Sequence, residues 1–496
     1  MLKVLEKYIL SPVTFKCITI IALFIVQVPF IHIAIGSCIK YILVLGVVAC
    51  IWDAVKNKFS KFYDKVNVLL VIFVILYGVT IFVNRDLFLV ENIKQLVYMA
   101  VFFYLFFMID SKNDIYWDTT IVSFTVVLIT FILSFLSFLT YILNIYEWYQ
   151  TLDGLEWVFI GTSSGRLWGL YNSNVCGTIA MTSIISTLFL AFNSNHKKDI
   201  KAIIKYLFLS VNIILQYFVL ILSGSRGPYY ALLLTLSVIV FVAVIKKSTC
   251  NTVLKTVLAF SMAVLMLVMI VSASSFTHNH IHRLIMVSNE DAANIEKDSA
   301  YENIIESILV KYFENTSALT GSFGSSVSNS VLGGVGRKES GDLASSSGRT
   351  DIWKSGIEVF KTSPIFGVTR EGLPTRVECI NGELSGAINN GGLHNIYLTI
   401  LVSSGIVGFI AIAIAVLTVL IEFLKVLFSK QQLDNCMLFS FAMVFAFLIS
   451  ELVENRILYQ VTAFNAVFWI YFGYLNFFSK KALGEESNEF SSIKTE

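Results

Sequence analysis

Charged residues are scarce in this sequence. Asp, Glu, Lys and Arg make up 14% of its 496 residues, whereas an ordinary soluble protein carries about 25%. A soluble fold of this length needs more polar side chains to cover its surface, so that class is excluded. The formal net charge of +2 provides no general attraction for the phosphates of nucleic acid. Nucleic acid is therefore not expected as a partner.

Proline and cysteine are also uncommon. With 5 prolines and 28 glycines, the chain lacks the composition of fibrous classes. Of the 7 cysteines, only Cys379 stands in a long polar stretch, and the others lie in apolar runs or at their ends. A disulfide framework requires several cysteines in the extracellular part. We therefore predict that the cysteines are small apolar side chains within the packing.

What the chain has in abundance is apolar sequence, with 56% hydrophobic residues. Apolar runs of about 20 residues, the length of a membrane-spanning helix, recur along it. They lie near 14–34, 37–52, 66–83, 88–109, 119–145, 171–192, 203–222, 228–245, 256–275, 396–421, 436–453 and 459–478. These runs predict an all-α polytopic membrane protein with about 12 transmembrane helices and one large, partly helical extracytoplasmic loop.

The same runs divide the chain into four regions. Residues 1–275 form a membrane domain of nine spans, 276–395 the large extracytoplasmic loop, 396–478 the last three spans, and 479–496 a cytoplasmic tail. Within the loop, apolar residues recur at helical spacing over 299–319 and over 350–362, which predicts two helices. Residues 321–348 between them are rich in Gly and Ser, as flexible segments are.

Lysine and arginine separate in this topology. Cytoplasmic loops attract basic residues, and lysine clusters fall near residues 60, 200, 250 and 430 and at both termini. With the N-terminus inside, all of these clusters are cytoplasmic and all nine arginines are extracytoplasmic. The guanidinium group is a planar fork of donors that fits phosphate oxygens, whereas the lysine ammonium is a point charge. We therefore expect an anion-binding site on the outer face of the membrane.

The first candidate for this site is Ser-Gly-Ser-Arg-Gly-Pro at 223–228. Pro228 suits the first turn of the eighth predicted helix, and the free N–H groups of such a turn favour anions. Arg226 adds a full charge, and small residues such as Ser225 let an anion approach the backbone. The alternative interpretation is an interfacial arginine in a tight turn.

Two further candidates lie where helices begin in the large loop and after it. Arg349 begins the helix predicted over 350–362, although Asp351 could pair with this arginine or cap the helix. His394 stands at the start of the tenth span, where the helix dipole favours a neutral imidazole that could accept a proton. Tyr397 and a pair of glycines at 405 and 408 follow it. An interfacial histidine with a satisfied hydrogen bond is the alternative.

The fourth candidate is the stretch from Arg166 to Asn174, which leads into the sixth span. Gly177 lies eleven positions after Arg166. Asn172 and Asn174 could instead cap the helix, which would make the stretch purely structural.

Two weaker patterns were also considered. His278, His280 and His282 alternate as metal ligands on a strand could, but no Cys, Asp or Glu completes a set, so no metal site is predicted. The outer end of the eleventh span carries Glu451, Glu454 and Arg456, where a local ion pair is favoured over a catalytic acid.

In these residues the chain resembles the O-antigen polymerase and O-antigen ligase superfamily. The resemblance rests on about a dozen spans, one large late loop and three motifs in order. The motifs are Ser-x-Ser-Arg-Gly at 223–227, Gly-Arg-x-x-x-Trp at 348–353, and His-Asn at 394–395 followed by the glycines at 405 and 408. The spacing from Arg166 to Gly177 is similar to one found in the polymerases.

The resemblance implies a glycosyltransferase of the bacterial cytoplasmic membrane that works on the extracytoplasmic side without metal or other cofactor. Its donor would be a glycan on undecaprenyl pyrophosphate. Arg226 and Arg349 would bind the pyrophosphate, and His394 would serve the acceptor hydroxyl. The further predicted substrate-binding residues are Arg166, Asn174, Ser225 and Tyr397.

The superfamily contains polymerases and ligases. The length of the chain and of its loop favours a polymerase that makes a surface polysaccharide such as a capsule, and transfer of a finished glycan to a lipid or cell-wall acceptor is the alternative. A transporter of lipid-linked glycans is the alternative of another class, although we find no paired halves of the kind that transporters show. Flippase and chain-length regulator proteins are candidate partners beside the glycan donor, the glycan acceptor and the lipid bilayer.

Overall fold

The computed structural model of the chain describes residues 12–29, 31–32, 36–109, 114–143, 145–150, 157–163, 166–193, 200–247, parts of 254–270, 349–380, 382, 388, 392–431 and 433–484. These residues are mostly helical, as the apolar runs predict. The helices are α1 Pro12–Val26, α2 Ile39–Lys56, α3 Lys65–Val83, α4 Leu89–Phe102, α5 Ile115–Ile142, α6 Ser173–Phe192, α7 Ile200–Ser223, α8 Arg226–Lys247, α9 Arg349–Thr362, α10 Gly372–Ile380, α11 Ile396–Phe428, α12 Asn435–Ser450 and α13 Ala463–Leu483.

Seven of the described helices are long and apolar enough to cross a membrane: α3, α4 with its π-helical continuation Phe103–Phe107, α5, α6, α7, α8 and α11. α1 and α12 are shorter apolar helices. The chain is therefore a multi-pass membrane protein, while the total of about twelve spans stays a prediction.

The large loop is described only near its end. The helix predicted over 350–362 is confirmed as α9, Arg349–Thr362. The helix predicted over 299–319, the Gly/Ser-rich stretch at 321–348 and the three alternating histidines all lie outside the described residues. The loop boundaries and the four-region division stay predictions.

A three-stranded antiparallel sheet, which the all-α prediction did not include, joins α5 to α6. Its strands β1 Tyr146–Gln150, β2 Trp157–Ser163 and β3 Arg166–Gly169 are arranged in the order β1-β2-β3. The first two strands are rich in aromatic and β-branched residues, which favour extended backbone. A register shift between Gly161 and Thr162 carries β2 into its pairing with β3. The sheet matters for function because β3 begins with Arg166.

α13 lies at the centre of the helix bundle. Every residue from Ala463 to Ser479 is buried, as expected of a helix that is apolar on all sides. Gly473 allows the backbone of the π-helical stretch to approach, because a Cβ there would lie 2.5 Å from the Phe107 carbonyl oxygen. Trp469 Nε1 donates to the Ile457 carbonyl oxygen at 2.9 Å, which ties α13 to the segment 451–462 that precedes it.

α11 is broken at Gly405, where φ is +64° and ψ is −176°. A left-handed φ of this kind favours glycine, and a Cβ here would overlap the Ile365 carbonyl group. The break leaves backbone groups of α11 without their helical partners. The glycine at 405 was part of the predicted motif, and this geometry is the physical reason for it.

Those backbone groups bind an irregular segment, residues 364–369, that follows α9. Val368 N donates to Val402 O and Thr369 N to Ser403 O, each at 3.0 Å, and Ile406 N donates to Pro364 O at 2.9 Å. On its other side the segment contacts α3: Thr80 Oγ1 donates to Phe366 O at 2.6 Å. The backbone of this segment is therefore paired on both sides, by α11 and by α3. The chain thus returns from the loop into the bundle between α3 and α11.

The two ends of the bundle differ in their basic residues. The end that we call the arginine end carries Arg166, Arg226, Arg349, Arg370 and Arg456, next to the first turns of α6, α8, α9 and α11. At the opposite end of α8, Lys246 Nζ donates to the carbonyl oxygens of Val426, Ser429 and Gln431 at 2.9, 3.0 and 3.0 Å. The cytoplasmic location of this lysine-bearing end stays a prediction.

Candidate functional site

Arg166 holds the end of α7. Its Nε donates to Ser223 O at 2.9 Å, and its Nη2 donates to Gly224 O at 3.2 Å. Carbonyl groups at a helix C-terminus lack helical partners and favour a cation. Gly224 has a φ of +58°, which turns the chain sharply before α8 begins. Arg166 therefore fixes the turn that precedes Arg226.

Two more of the predicted substrate-binding residues complete this contact. Asn174 Oδ1 accepts hydrogen bonds from Ser225 Oγ at 3.2 Å and from Arg166 Nη2 at 3.4 Å. Gly177 allows α6 to lie against the turn, because a Cβ at this position would be 2.6 Å from Ser225 Cβ. The structure thus brings Arg166, Asn174 and Ser225 together, but their hydrogen bonds are to one another and to the turn. Their contact with substrate stays a prediction.

Arg226 is the first residue of α8, and its side chain is exposed. The next residue, Gly227, packs against the segment after α12, because a Cβ on Gly227 would lie 2.8 Å from Val453 Cγ2. The positive N-terminus of α8 therefore meets residues 450–453. This placement fits the predicted anion cradle and also the alternative of an interfacial arginine after a tight turn.

A buried carboxylate gathers the other predicted catalytic residues. Glu454 is 5% exposed, and three basic side chains surround it: Arg456 Nη2 at 3.1 Å from Oε2, Arg349 Nη2 at 3.5 Å from Oε1, and His394 Nδ1 at 4.0 Å from Oε2. We call these four residues the Glu454 cluster. The local ion pair predicted at the end of the eleventh span is confirmed, and it joins Arg456 to Glu454. The cluster brings Arg349 and His394 together across 45 residues of sequence.

The alternative in which Asp351 pairs with Arg349 is not found among the described contacts. Asp351 Oδ1 contacts Lys354 Nζ at 3.1 Å, and both side chains are largely exposed. Arg349 instead reaches Glu454 because α9 lies with its first residue toward the segment after α12. The capping prediction holds elsewhere: Asn172 Oδ1 accepts from Val175 N and begins α6.

The charge of Glu454 is set by two opposing effects. Burial raises the pKa of this carboxyl, but Arg456, His394 and Arg349 outweigh the burial, and the net result is a pKa below the ordinary value. Glu454 is therefore an anion at neutral pH. A fixed anion orients the three basic groups around it.

We expect Glu454→Gln to lower stability at neutral pH and to have less effect in acid. Because the pKa is depressed in the folded state, the carboxylate contributes stability above its ordinary pKa of 4.5, and that contribution is lost as the pH falls through the lowered folded pKa. Removing one partner of a buried ion pair costs about 3–5 kcal/mol. The measurement is the melting temperature of the unaltered protein and of Glu454→Gln from about pH 8 down to about pH 3.5. The difference between the two should shrink as the pH falls.

The matched control for that measurement is Glu358→Gln. Glu358 lies on the exposed side of α9 and pairs with Lys361 at 2.7 Å, and exposed pairs contribute about 0–1 kcal/mol. The control should therefore melt like the unaltered protein at every pH. A Glu454→Gln difference that stays constant from neutral to acidic pH would show that the carboxylate charge is not what stabilises the cluster.

Arg456 links the cluster to α6. Its Nη1 donates to Asn174 O at 3.3 Å and to Thr178 Oγ1, and its guanidinium lies 5.6 Å from the centre of the Phe464 ring. Its backbone N donates to Glu451 Oε2 at 2.6 Å. The other oxygen of Glu451 is buried and has no hydrogen-bond partner within the described residues. Arg456 is thus held on every side and is a structural member of the cluster.

His394 is fixed by the residues on either side of it. Leu393 O accepts a hydrogen bond from Trp353 Nε1 at 2.8 Å, which ties the approach to α9. Asn395 caps α11 by accepting from Leu398 N at 2.9 Å, and its Nδ2 donates to Leu452 O at 3.0 Å. The His394 side chain is 27% exposed. A partly open imidazole with a carboxylate 4.0 Å away fits the predicted proton acceptor, a role that stays a prediction.

Tyr397, predicted to bind substrate, uses its hydroxyl within the fold. The hydroxyl donates to Leu448 O at 2.7 Å and so joins α11 to α12. The described contacts of Tyr397 do not include the Glu454 cluster. A role in substrate binding stays a prediction.

The sequence alone did not single out two buried residues at the arginine end, Arg370 and Asn455. Arg370 belongs to the large loop and Asn455 follows the eleventh span. Arg370 follows the irregular segment 364–369 and is 7% exposed, and Asn455 is 4% exposed. Only the excess of outer arginines pointed to Arg370. Its burial depends on the pairing of 364–369 with α11, which no local pattern reveals.

Known proteins match part of this chain. A family model described as O-antigen ligase matches residues 211–413, a range that includes Arg226, Arg349 and His394. Over 91 residues the chain is 33% identical to an uncharacterized protein of Haemophilus influenzae, a stretch that covers 18% of this chain and 23% of that protein. The chain thus spans less than a quarter of the length of this curated relative.

The family match falls on the three motifs that suggested the same group in the sequence. It also spans the break of α11 at Gly405 and the segment that pairs with it. The family model thus supports, over residues 211–413, the resemblance to the O-antigen ligase and polymerase superfamily, whose members are glycosyl-transferring enzymes of surface glycan assembly.

Proposed function

We propose that this protein polymerises undecaprenyl-pyrophosphate-linked repeat units into a surface polysaccharide on the outer side of the bacterial cytoplasmic membrane. The observation that carries the proposal is the Glu454 cluster, in which Arg349 and His394 face one buried carboxylate. The N-terminus of α8, with Arg226, packs against residues 450–453 just before this cluster. Cationic groups and a proton acceptor therefore occupy the same end of the bundle.

The arginines suit the leaving group of the reaction. As the bond between the anomeric carbon and the pyrophosphate oxygen breaks, negative charge develops on the pyrophosphate, which remains on its lipid. Fixed cations that face this charge stabilise the transition state. In the proposal Arg226 and Arg349 bind the pyrophosphate, and no metal is required because the arginines supply the positive charge.

His394 suits the acceptor. A sugar hydroxyl of the acceptor chain attacks the anomeric carbon of the donor, and its proton passes to the imidazole. A well-placed base contributes about 10²–10⁴ to such a step. Holding two lipid-linked glycans in one orientation supplies more. Glu454 behind the ring would stabilise the imidazolium that forms, as the acid of a catalytic triad does.

Transfer of a finished glycan to a lipid or cell-wall acceptor is the second candidate function. It is favoured by the family model, which is described as O-antigen ligase. Both reactions use the same donor and the same chemistry at the anomeric carbon, and they differ in the acceptor. The residues of the Glu454 cluster therefore support either reaction.

The test is an in vitro reaction of the purified protein with a defined lipid-linked repeat unit as both donor and acceptor. We expect a ladder of products that differ by one repeat unit, and a ladder that forms about 10²–10⁴ times more slowly from the His394→Ala variant at equal protein level. Transfer to an added acceptor without a ladder would favour the ligase. Movement of the lipid-linked glycan across liposomes without any new product would indicate a transporter and contradict the proposal.

A further inference from the structure

Beside the Glu454 cluster lies a second polar pair, Arg370 and Asn455, both more than nine-tenths buried. The two side chains meet at Gly392, which has a φ of +61°. A Cβ on Gly392 would overlap Asn455 Nδ2 and would lie 3.1 Å from Arg370 Nη2. Two hydrogen-bond donors of different side chains therefore lie against the same side of Gly392, two residues before His394.

These donors lack acceptors in the described part of the chain. Asn455 Nδ2 is buried without a hydrogen-bond partner, while Oδ1 of the same side chain accepts from Gln460 Nε2 at 3.5 Å. No described carboxylate oxygen lies within 4.0 Å of the Arg370 guanidinium. The adjacent Glu371 carboxylate is directed to Gln95 Nε2 instead.

The position of Arg370 is fixed by its neighbours. Its backbone N donates to the Tyr77 hydroxyl at 3.2 Å, and the preceding residue, Thr369, is paired with Ser403 of α11. The Tyr77 ring in turn packs against the Tyr459 ring, with 5.2 Å between their centres. Arg370 thus lies at the end of the irregular segment 364–369, which packs between α3 and α11.

A buried guanidinium without a carboxylate is costly. Burial lowers the pKa of Arg370, yet an arginine side chain remains protonated in proteins. Burying a charge without a counter-charge beside it carries a large desolvation cost. An anionic ligand would remove the cost, and it would also give Asn455 Nδ2 its acceptor.

We propose that Arg370 and Asn455 form an oxyanion-binding subsite for the substrate, separate from the Glu454 cluster. The inference rests on the proposed function, because it assigns the ligand to the glycan substrates. The oxyanion is a phosphate oxygen of the lipid-linked donor or a carboxylate on a sugar of the repeat unit. Either group can accept one hydrogen bond from the guanidinium and one from the amide.

The subsite lies next to the reacting groups. Asn455 follows Glu454 in sequence, and Gly392 precedes His394 by two residues. An anion bound here would therefore place its sugar or its lipid phosphate beside the imidazole. In this way the subsite would fix the position of one substrate relative to His394.

The test uses the full chain in lipid nanodiscs with two probes, inorganic pyrophosphate and glucuronate. The variants are Arg370→Gln and Asn455→Asp, and the matched control is Arg376→Gln, whose side chain is exposed on α10. The Asn455→Asp variant places a carboxylate beside Arg370, so it fills the subsite with an internal anion and should keep the fold. We expect each variant to weaken binding of at least one probe about tenfold or more, and the control to bind like the unaltered protein.

The pattern of loss identifies the source of the oxyanion. Loss of pyrophosphate binding alone assigns the lipid phosphate, and loss of glucuronate binding alone assigns a sugar carboxylate. The pyrophosphate titration is repeated in an Arg349→Gln background, which removes the contribution of the Glu454 cluster. Should Arg370→Gln fail to fold, as judged by elution and melting temperature, Asn455→Asp alone decides the outcome.

The proposal is overturned if the folded variants bind both probes as tightly as the unaltered protein, or if the unaltered protein binds neither. The ladder assay is run in parallel and separates this failure from failure of the proposed function. A ladder together with unchanged probe binding removes the subsite and keeps the enzyme. Absence of a ladder together with probe binding that depends on Arg370 removes the polymerase and keeps the subsite.

Discussion

Arg349→Lys is expected to lower the rate of glycan transfer by about 10²–10³, the usual effect of removing one donor that stabilises transition-state charge. The substitution keeps the positive charge, so a loss this large would come from geometry. In the structure one nitrogen of Arg349, Nη2, contacts Glu454 Oε1 at 3.5 Å. The remaining donors of the planar fork can then bind phosphate, whereas a lysine has a single ammonium to divide between the carboxylate and the substrate.

Arg226→Lys should show the same kind of loss, because its role in the proposal also depends on a two-pronged contact with pyrophosphate. Arg376→Lys is the matched control, since this arginine is exposed on α10 and outside the Glu454 cluster. Transfer rates are measured at equal protein level and saturating donor. A normal rate for Arg349→Lys, with the control also normal, would remove Arg349 from the site of the leaving group.

The membrane helices could be predicted from sequence because the bilayer itself sets their length and apolar character. The predicted span 171–192 corresponds to α6, Ser173–Phe192, and 436–453 corresponds to α12, Asn435–Ser450. Helix α9 was also predictable, since its apolar residues recur at helical spacing. In each case the signal lies within one continuous segment of the chain.

The remaining features depend on contacts between distant segments. The glycine at 405 was noticed, but the sequence does not reveal that the freed backbone of α11 would bind residues 364–369. Because that pairing carries Arg370 into the bundle, the burial of Arg370 was equally hidden. The sheet between α5 and α6 was not predicted, because its strands are short and are held by pairing between separate segments.

The sequence predicted most residues of the candidate site, but only some of the contacts between them. The motifs named Arg349 and His394, and the charged residues at the end of the eleventh span predicted a local ion pair. The contact of His394 with Glu454 joins residues 60 positions apart, and it forms because α11 begins where α12 ends. Arg166, Asn174 and Ser225 were chosen as ligands for substrate, whereas the structure shows that they first shape the turn before Arg226.

His394→Gln is expected to slow transfer by about 10²–10⁴ while leaving donor binding nearly unchanged. In the proposed reaction the imidazole accepts the proton of the attacking hydroxyl. His394 Nδ1 faces Glu454 Oε2 at 4.0 Å, so the opposite nitrogen, Nε2, is the one that can meet the acceptor. Glutamine keeps the ability to form hydrogen bonds at this position but cannot take up the proton, and His394→Ala should be similarly slow.

Measuring donor binding and the single-turnover rate for both His394 variants separates the base from its rival role as a hydrogen-bond donor to pyrophosphate. As a donor, His394 could be replaced in part by glutamine, and affinity for the lipid-linked glycan would fall. A glutamine variant with a near-normal rate would exclude the base, and the proton would then pass to water or to another carboxylate. Of the carboxylates considered, Asp351 is exposed and paired with Lys354, whereas Glu451 keeps one buried oxygen without a partner in the described residues. Glu451→Gln in the His394→Gln background would then be the variant that abolishes the residual transfer.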